Sequence, residues 1–134
     1  MNIDNNIKKV LICLDNTAHS IKVANEGIIA KSINTEVSLI HVIDTNAVFE
    51  NTLSAKEIVE SKKDKARKFL ENVLTMYSCA ALIYVDEGNP SEKIIEKVKT
   101  LNVDLVVLGT SKRNLPENVV KNVTRQIKNL VIIV

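Results

Sequence analysis

Five short apolar runs, separated by stretches of helical period, constrain this chain more than any other feature. They cover residues 10–14, 37–43, 80–85, 105–108 and 130–134. Each is too short for a core helix and is continuous rather than alternating, as a strand buried on both faces requires. Between them, apolar side chains recur at helical spacing. The first set is Ala18, Ile21, Ala24 (or Asn25) and Ile28. The second is Ile58, Val59, Ala66, Phe69, Leu70, Val73, Leu74 and Tyr77. The third is Ile94, Ile95, Val98 and Leu101, and the last is Val119, Val120, Val123 and Ile127. Strands that alternate with helices in this way form a parallel sheet with helices on both faces. The expectation is therefore a single α/β domain over residues 1–134, built on five parallel strands.

Local signals mark the boundaries. Asn16-Thr17 can start the first helix, and Ser54 with Glu57 has capping-box spacing for the second. Glu87-Gly88-Asn89-Pro90 reads as a turn, with Asn89 or Ser91 capping the third helix. Pro116 suits the first turn of the fourth.

Composition excludes several classes. A net charge of +2 is too small to argue for nucleic acid. Aromatic residues at 3%, without tryptophan, give no stacking platform for bases or flavins. The only glycines are Gly27, Gly88 and Gly109, so neither a Walker A loop nor a G-x-G-x-x-G fingerprint is present. Cys13 and Cys79 lack metal spacing and read as reduced core thiols. The polar start Met1-Asn2-Ile3-Asp4-Asn5-Asn6 has no signal-peptide core, and no apolar run approaches ~18 residues. These features predict a cytoplasmic chain with no membrane partner.

Two places could carry chemistry. Asp15 follows the first strand, on the edge where open α/β sheets bind ligands. It could accept from a ribose hydroxyl or an adenine amine, or hold a cation; it serves equally well as a helix N-cap. Gly109-Thr110-Ser111-Lys112-Arg113 follows the fourth strand and offers close backbone approach, hydroxyls and two cations to an anion; it also reads as a solvated loop. His19 and His41 have no ligand partners at metal spacing and read as structural. Ser20, Ser54 and Ser91 all fit helix or cap positions. Lys62, Lys63, Asp64, Lys65, Arg67 and Lys68 read as a solvated helix face.

The ordered pieces resemble the universal stress protein family over essentially the whole chain. They are Val10-Leu11-Ile12-Cys13-Leu14-Asp15, then Leu39-Ile40-His41-Val42-Ile43-Asp44, then Glu87-Gly88-Asn89-Pro90, and finally Asp104-Leu105-Val106-Val107-Leu108-Gly109-Thr110. The resemblance implies a Rossmann-like five-stranded parallel sheet of the adenine nucleotide alpha hydrolase type. It also implies adenine nucleotide (ATP) binding in some members, and homodimers joined through the last strand, here between Leu130 and Val134. It places adenine near Leu14, Asp15 and Val42, and phosphates near Leu108, Gly109, Lys112 and Asn122. ATP-binding members carry Gly-x2-Gly-x9-Gly-Ser/Thr after strand four. Here the second glycine position is Lys112, the third is Asn122, and Val123 takes the hydroxyl position.

Three functions follow as expectations. The first is a non-catalytic stress-response module with a degenerate nucleotide pocket. The second is a slow Mg²⁺-dependent nucleotide hydrolase using Asp15. The third is a phosphoacceptor domain in which Asp15, Asp86 and Thr110 or Ser111 share one site.

Overall fold

The computed structural model describes residues 7–14, 23–25, 35–45, 53–108 and 117–133. Five strands form one sheet, each strand parallel to its neighbours: β1 (Lys9–Cys13), β2 (Glu36–Asp44), β3 (Leu82–Gly88), β4 (Leu105–Leu108) and β5 (Leu130–Ile133). Their spatial order is β3-β2-β1-β4-β5. The helices are α1, described over residues 23–25, α2 (Leu53–Met76), α3 (Pro90–Leu101) and α4 (Glu117–Gln126).

Strand alternation sorts the apolar side chains onto two faces. On one face Leu11, Cys13, Ile40, Val106 and Leu108 pack with Ile94, Ile95 and Val98 of α3 and Val119, Val120 and Val123 of α4. On the other, Val10, Ile12, Leu14, Leu39, Leu105 and Val107 pack with Val23 and Ala24 of α1 and Leu70 and Val73 of α2. Sheet and helices therefore form three layers, as the alternating pattern predicts.

Some boundaries differ from the sequence reading. β3 begins at Leu82 rather than Ala80 and runs through Asp86 and Glu87 to Gly88. It is an edge strand and mostly half-buried, so polar residues belong to it. Gly88 ends it at φ +137, a region that L side chains rarely adopt, and an added Cβ would lie 2.9 Å from Lys93 Cε. Asn89 is the cap of α3: its Oδ1 accepts from the Glu92 N–H at 3.1 Å, with Pro90 at the first helical position. Ser91 lies inside the helix and is buried. In α2, Ala55 is buried, whereas Ile58, expected on the core stripe, is 50% exposed. The predicted start of α1 at Asn16-Thr17 lies outside the described residues.

Asp104 joins the two central strands at the opposite end of the sheet from the candidate site. Its Oδ2 accepts from the backbone N–H groups of Lys8 (2.9 Å) and Lys9 (3.0 Å), and its own N–H donates to the Lys9 carbonyl at 2.9 Å.

Candidate functional site

Strand order sets where a ligand can sit. From β1, the chain moves outward on one side through β2 to β3; it then crosses to β4 on the other side of β1 and moves outward to β5. The crossovers change face where the direction reverses, so a crevice opens between the carboxyl ends of β1 and β4. Leu14 and Leu108 bound it, and both are buried.

The end of β1 is fixed by two hydrogen bonds. Leu14 N–H donates to the Ile40 carbonyl at 2.9 Å, which extends the β1–β2 pairing one residue past the strand. The Leu14 carbonyl lies 2.8 Å from His41 Nδ1. A carbonyl only accepts, so Nδ1 carries the proton in this contact. The imidazole thus takes the acceptor that the next backbone N–H of β2 would otherwise use. His41 is structural, as read from the sequence, but its partner is the last peptide before Asp15.

β2 outruns β1. It continues through Val42 and Ile43 to Asp44, paired with β3 on its outer side. Hydrogen-bonding direction alternates along a parallel strand. The Ile40 carbonyl points to β1, so the N–H and C=O of Val42, two residues on, point to the same side. There β1 has ended, and no described residue of β1 pairs with them. A donor and an acceptor on adjacent backbone groups therefore face the crevice. The sequence could not expose this feature, because it depends on the relative lengths of two paired strands.

Of the expected site residues, Leu14, Val42 and Leu108 lie at this crevice. Asp15, Gly109 and Lys112 lie outside the described residues, as do Thr110 and Ser111. Asn122 is the sixth residue of α4, exposed in its second turn. It lines an open groove of about 550 Å³ between α3 and α4, with Asn89, Ser91 and Gln126. The family spacing places its third glycine there by count, but α4 has already begun at Glu117. Asn122 is therefore not at a helix start, where backbone N–H groups would be open to phosphate.

Asp86 does not share a site with the end of β1. β2 stands between them, so they are separated by two strand spacings, about 10 Å. Its carboxylate pairs with Lys97 Nζ at 3.3 Å, and that ammonium also sits 4.3 Å from the Tyr84 ring centroid. This strand order removes the basis of the phosphoacceptor reading. Cys13 and Cys79 are both buried and form no disulfide, and burial pushes the Cys13 thiol far up. Among the described residues no cluster of three His, Cys, Asp or Glu could hold a metal ion, and no helix is long and apolar enough to cross a membrane.

A doubly wound parallel sheet with its crevice at the β1/β4 switch point defines a Rossmann-like α/β protein. The model of the universal stress protein family matches residues 6–133, and the chain belongs to that family. Three of the solved structures that share the fold illustrate the likeness. Hypothetical protein MJ0577 is 24% identical, with 96% of this chain and 95% of that one covered and a TM-score of 0.79. An Arabidopsis thaliana universal stress protein family member solved with AMP bound is 17% identical, with 95% and 90% covered and a TM-score of 0.63. A universal stress protein in complex with cAMP is 19% identical, with 96% of each chain covered and a TM-score of 0.60. No curated protein matches the chain by sequence.

Proposed function

We propose that this chain is a non-catalytic adenine-nucleotide-binding module of the stress response, with adenosine rather than the phosphate tail supplying most of the recognition. The observation that carries this reading is the overhang of β2. The N–H and C=O of Val42 match the acceptor and donor on the edge of adenine, and a backbone pair of this kind does not depend on side chains. AMP and cAMP, the ligands named for two relatives, have adenosine in common. Asp15 then accepts from the ribose, on a peptide that His41 holds in place.

The phosphate end of the pocket is the altered one. Lys112 replaces a family glycine, and Asn122 falls within α4 instead of at its start. The lysine supplies a charge but not a backbone cradle. Affinity should therefore change little with phosphate number. Isothermal titration with AMP and ATP tests this: dissociation constants within about threefold of each other are expected, each weakened about tenfold or more in Asp15→Ala. No heat and no mass gain at about 1 mM of either nucleotide would refute the reading.

The assembly we propose is a homodimer paired through β5. That strand is an edge of the sheet, and Ile133 is 51% exposed on it. Unpaired strand edges recruit further strands. Native mass spectrometry should find a dimer, and Ile133→Lys should shift it toward monomer. A dimer unchanged by that substitution would contradict the pairing.

A further inference from the structure

The charged surface of α2 is not a uniform solvated face; it divides into two flanks of different character. At about 100° per residue, Glu57, Glu60, Asp64 and Glu71 gather within about 60° of one another. This flank lies toward β3 and is laced with ion pairs: Lys63 with Glu60 (3.9 Å) and with Glu87 of β3 (3.7 Å), and Arg67 with Asp64 (3.8 Å). The other flank lies on the side of α2 away from Lys63 and its β3 partner Glu87. Here Ile58, Lys62, Lys65, Phe69, Asn72 and Met76 fall within about 80° with no acidic residue among them, and Lys68 lies between the two flanks.

Three observations distinguish this flank. Lys62, Lys65 and Lys68 are exposed and make no ion pair with any described residue. Ile58 and Met76 are 50% and 59% exposed, at opposite ends of the stripe. The spacing from Ile58 to Met76 runs four, three, four, three, four, so these side chains form one continuous stripe along α2, apolar at Ile58, Phe69 and Met76 and polar at Lys62, Lys65 and Asn72. The stripe is about 27 Å long, enough for five turns of a partner helix.

We propose that this flank of α2 docks an acidic amphipathic helix of a partner protein. The partner's apolar side chains would pack on Ile58, Phe69 and Met76, and its carboxylates would face Lys62, Lys65 and Lys68. Charge selects this occupant. A second copy presenting the same flank would bring like charges together. A bilayer is a poorer fit, because the wide apolar face of α2 is already buried against the sheet and only two apolar side chains remain half-exposed. The docking flank is independent of the nucleotide crevice, and its test reads neither nucleotide nor dimer.

The test uses the full chain and a synthetic 21-residue peptide with leucine at heptad a and d positions and glutamate at e and g. Fluorescence polarisation should register association at low salt that weakens as salt rises. Lys62→Glu with Lys65→Glu should lower affinity about tenfold or more, and Ile58→Ala with Met76→Ala should also lower it. Lys56→Glu, on the opposite flank, should leave it unchanged. All these positions are exposed, and circular dichroism would verify that the variants fold. No association at about 1 mM peptide overturns the proposal. So does binding that ignores the lysine reversals, or tighter binding to vesicles of 7:3 phosphatidylcholine to phosphatidylglycerol than to the peptide.

Discussion

Asp104→Ala should destabilise the fold by about 1–2 kcal/mol without altering any ligand site. One carboxylate oxygen accepts from two consecutive N–H groups, those of Lys8 and Lys9, at the entrance to the central strand. A charge-assisted hydrogen bond of this kind contributes up to about 1.5–3 kcal/mol when dry. Asp104 is exposed, however, and water can reach the two amides once the side chain is gone. Screening and rehydration bring the pair down to the lower figure. For 134 residues the unfolding entropy near the midpoint is about 0.28 kcal/mol/K, so the loss corresponds to a fall in Tm of roughly 4–7 °C. Asp104→Asn keeps an acceptor but loses the charge, and should lose about half as much. Differential scanning calorimetry of the two variants at neutral pH is the assay. A fall below about 1 °C for the alanine variant, or equal falls for both, would refute the view that this carboxylate clamps the strand. The residue stands in a family-like motif, so its purely structural assignment is also exposed to test: nucleotide affinity of the folded variant should be unchanged.

Other predictions follow from burial and hydrogen bonding. Leu70→Ala, fully buried on α2, should cost about 3 kcal/mol, whereas Ile58→Ala on the same helix should cost less than about 1, both by chemical denaturation. Cys13 keeps its proton when folded and loses it near pH 9 when unfolded. Stability is therefore undiminished below pH 9 and should fall above it by up to about 1.4 kcal/mol per pH unit from this group. Cys13→Ala should remove that part of the slope. Asn89→Ala removes the cap of α3 and should cost about 1 kcal/mol in the same denaturation assay. His41→Ala should weaken AMP binding severalfold by freeing the Leu14 carbonyl, while His41→Asn, which can still donate, should restore part of the loss.

The interior strands were legible because burial on both faces leaves no room for polar residues. β4 was read to the residue, and β1 within one residue at each end. The edge strand β3 was not. It faces solvent on one side, so Asp86 and Glu87 belong to it and the apolar run starts too early. Ile58 illustrates a similar limit: its spacing fits the stripe of α2, but it lies at the rim of that stripe, and only the packing of α1 and the sheet decides which rim is covered. Where the residues reached by resemblance lie in the fold is something that sequence cannot display. That Val42 lies past the last residue of β1 follows from β2 being longer than β1, and that Asn122 lies past a helix start follows from where α4 begins. The roles of Asp104 and His41 depend on partners 96 and 27 residues away.

The central position of β1 has a consequence for synthesis. β1 emerges from the ribosome first, and β2 and β3 can join it in order. Its other neighbour, β4, is made about a hundred residues later, and α4 later still. Until then the face holding Leu11, Cys13 and Ile40 has no α4 above it and no strand on one side. Closure therefore waits on the last contacts to form, which are also the most distant in sequence and the slowest to find. The thiol best protected in the finished protein is exposed for most of translation. Nascent chains stalled near residue 100 should react readily at Cys13, and that reactivity should vanish once the final strand has cleared the exit tunnel.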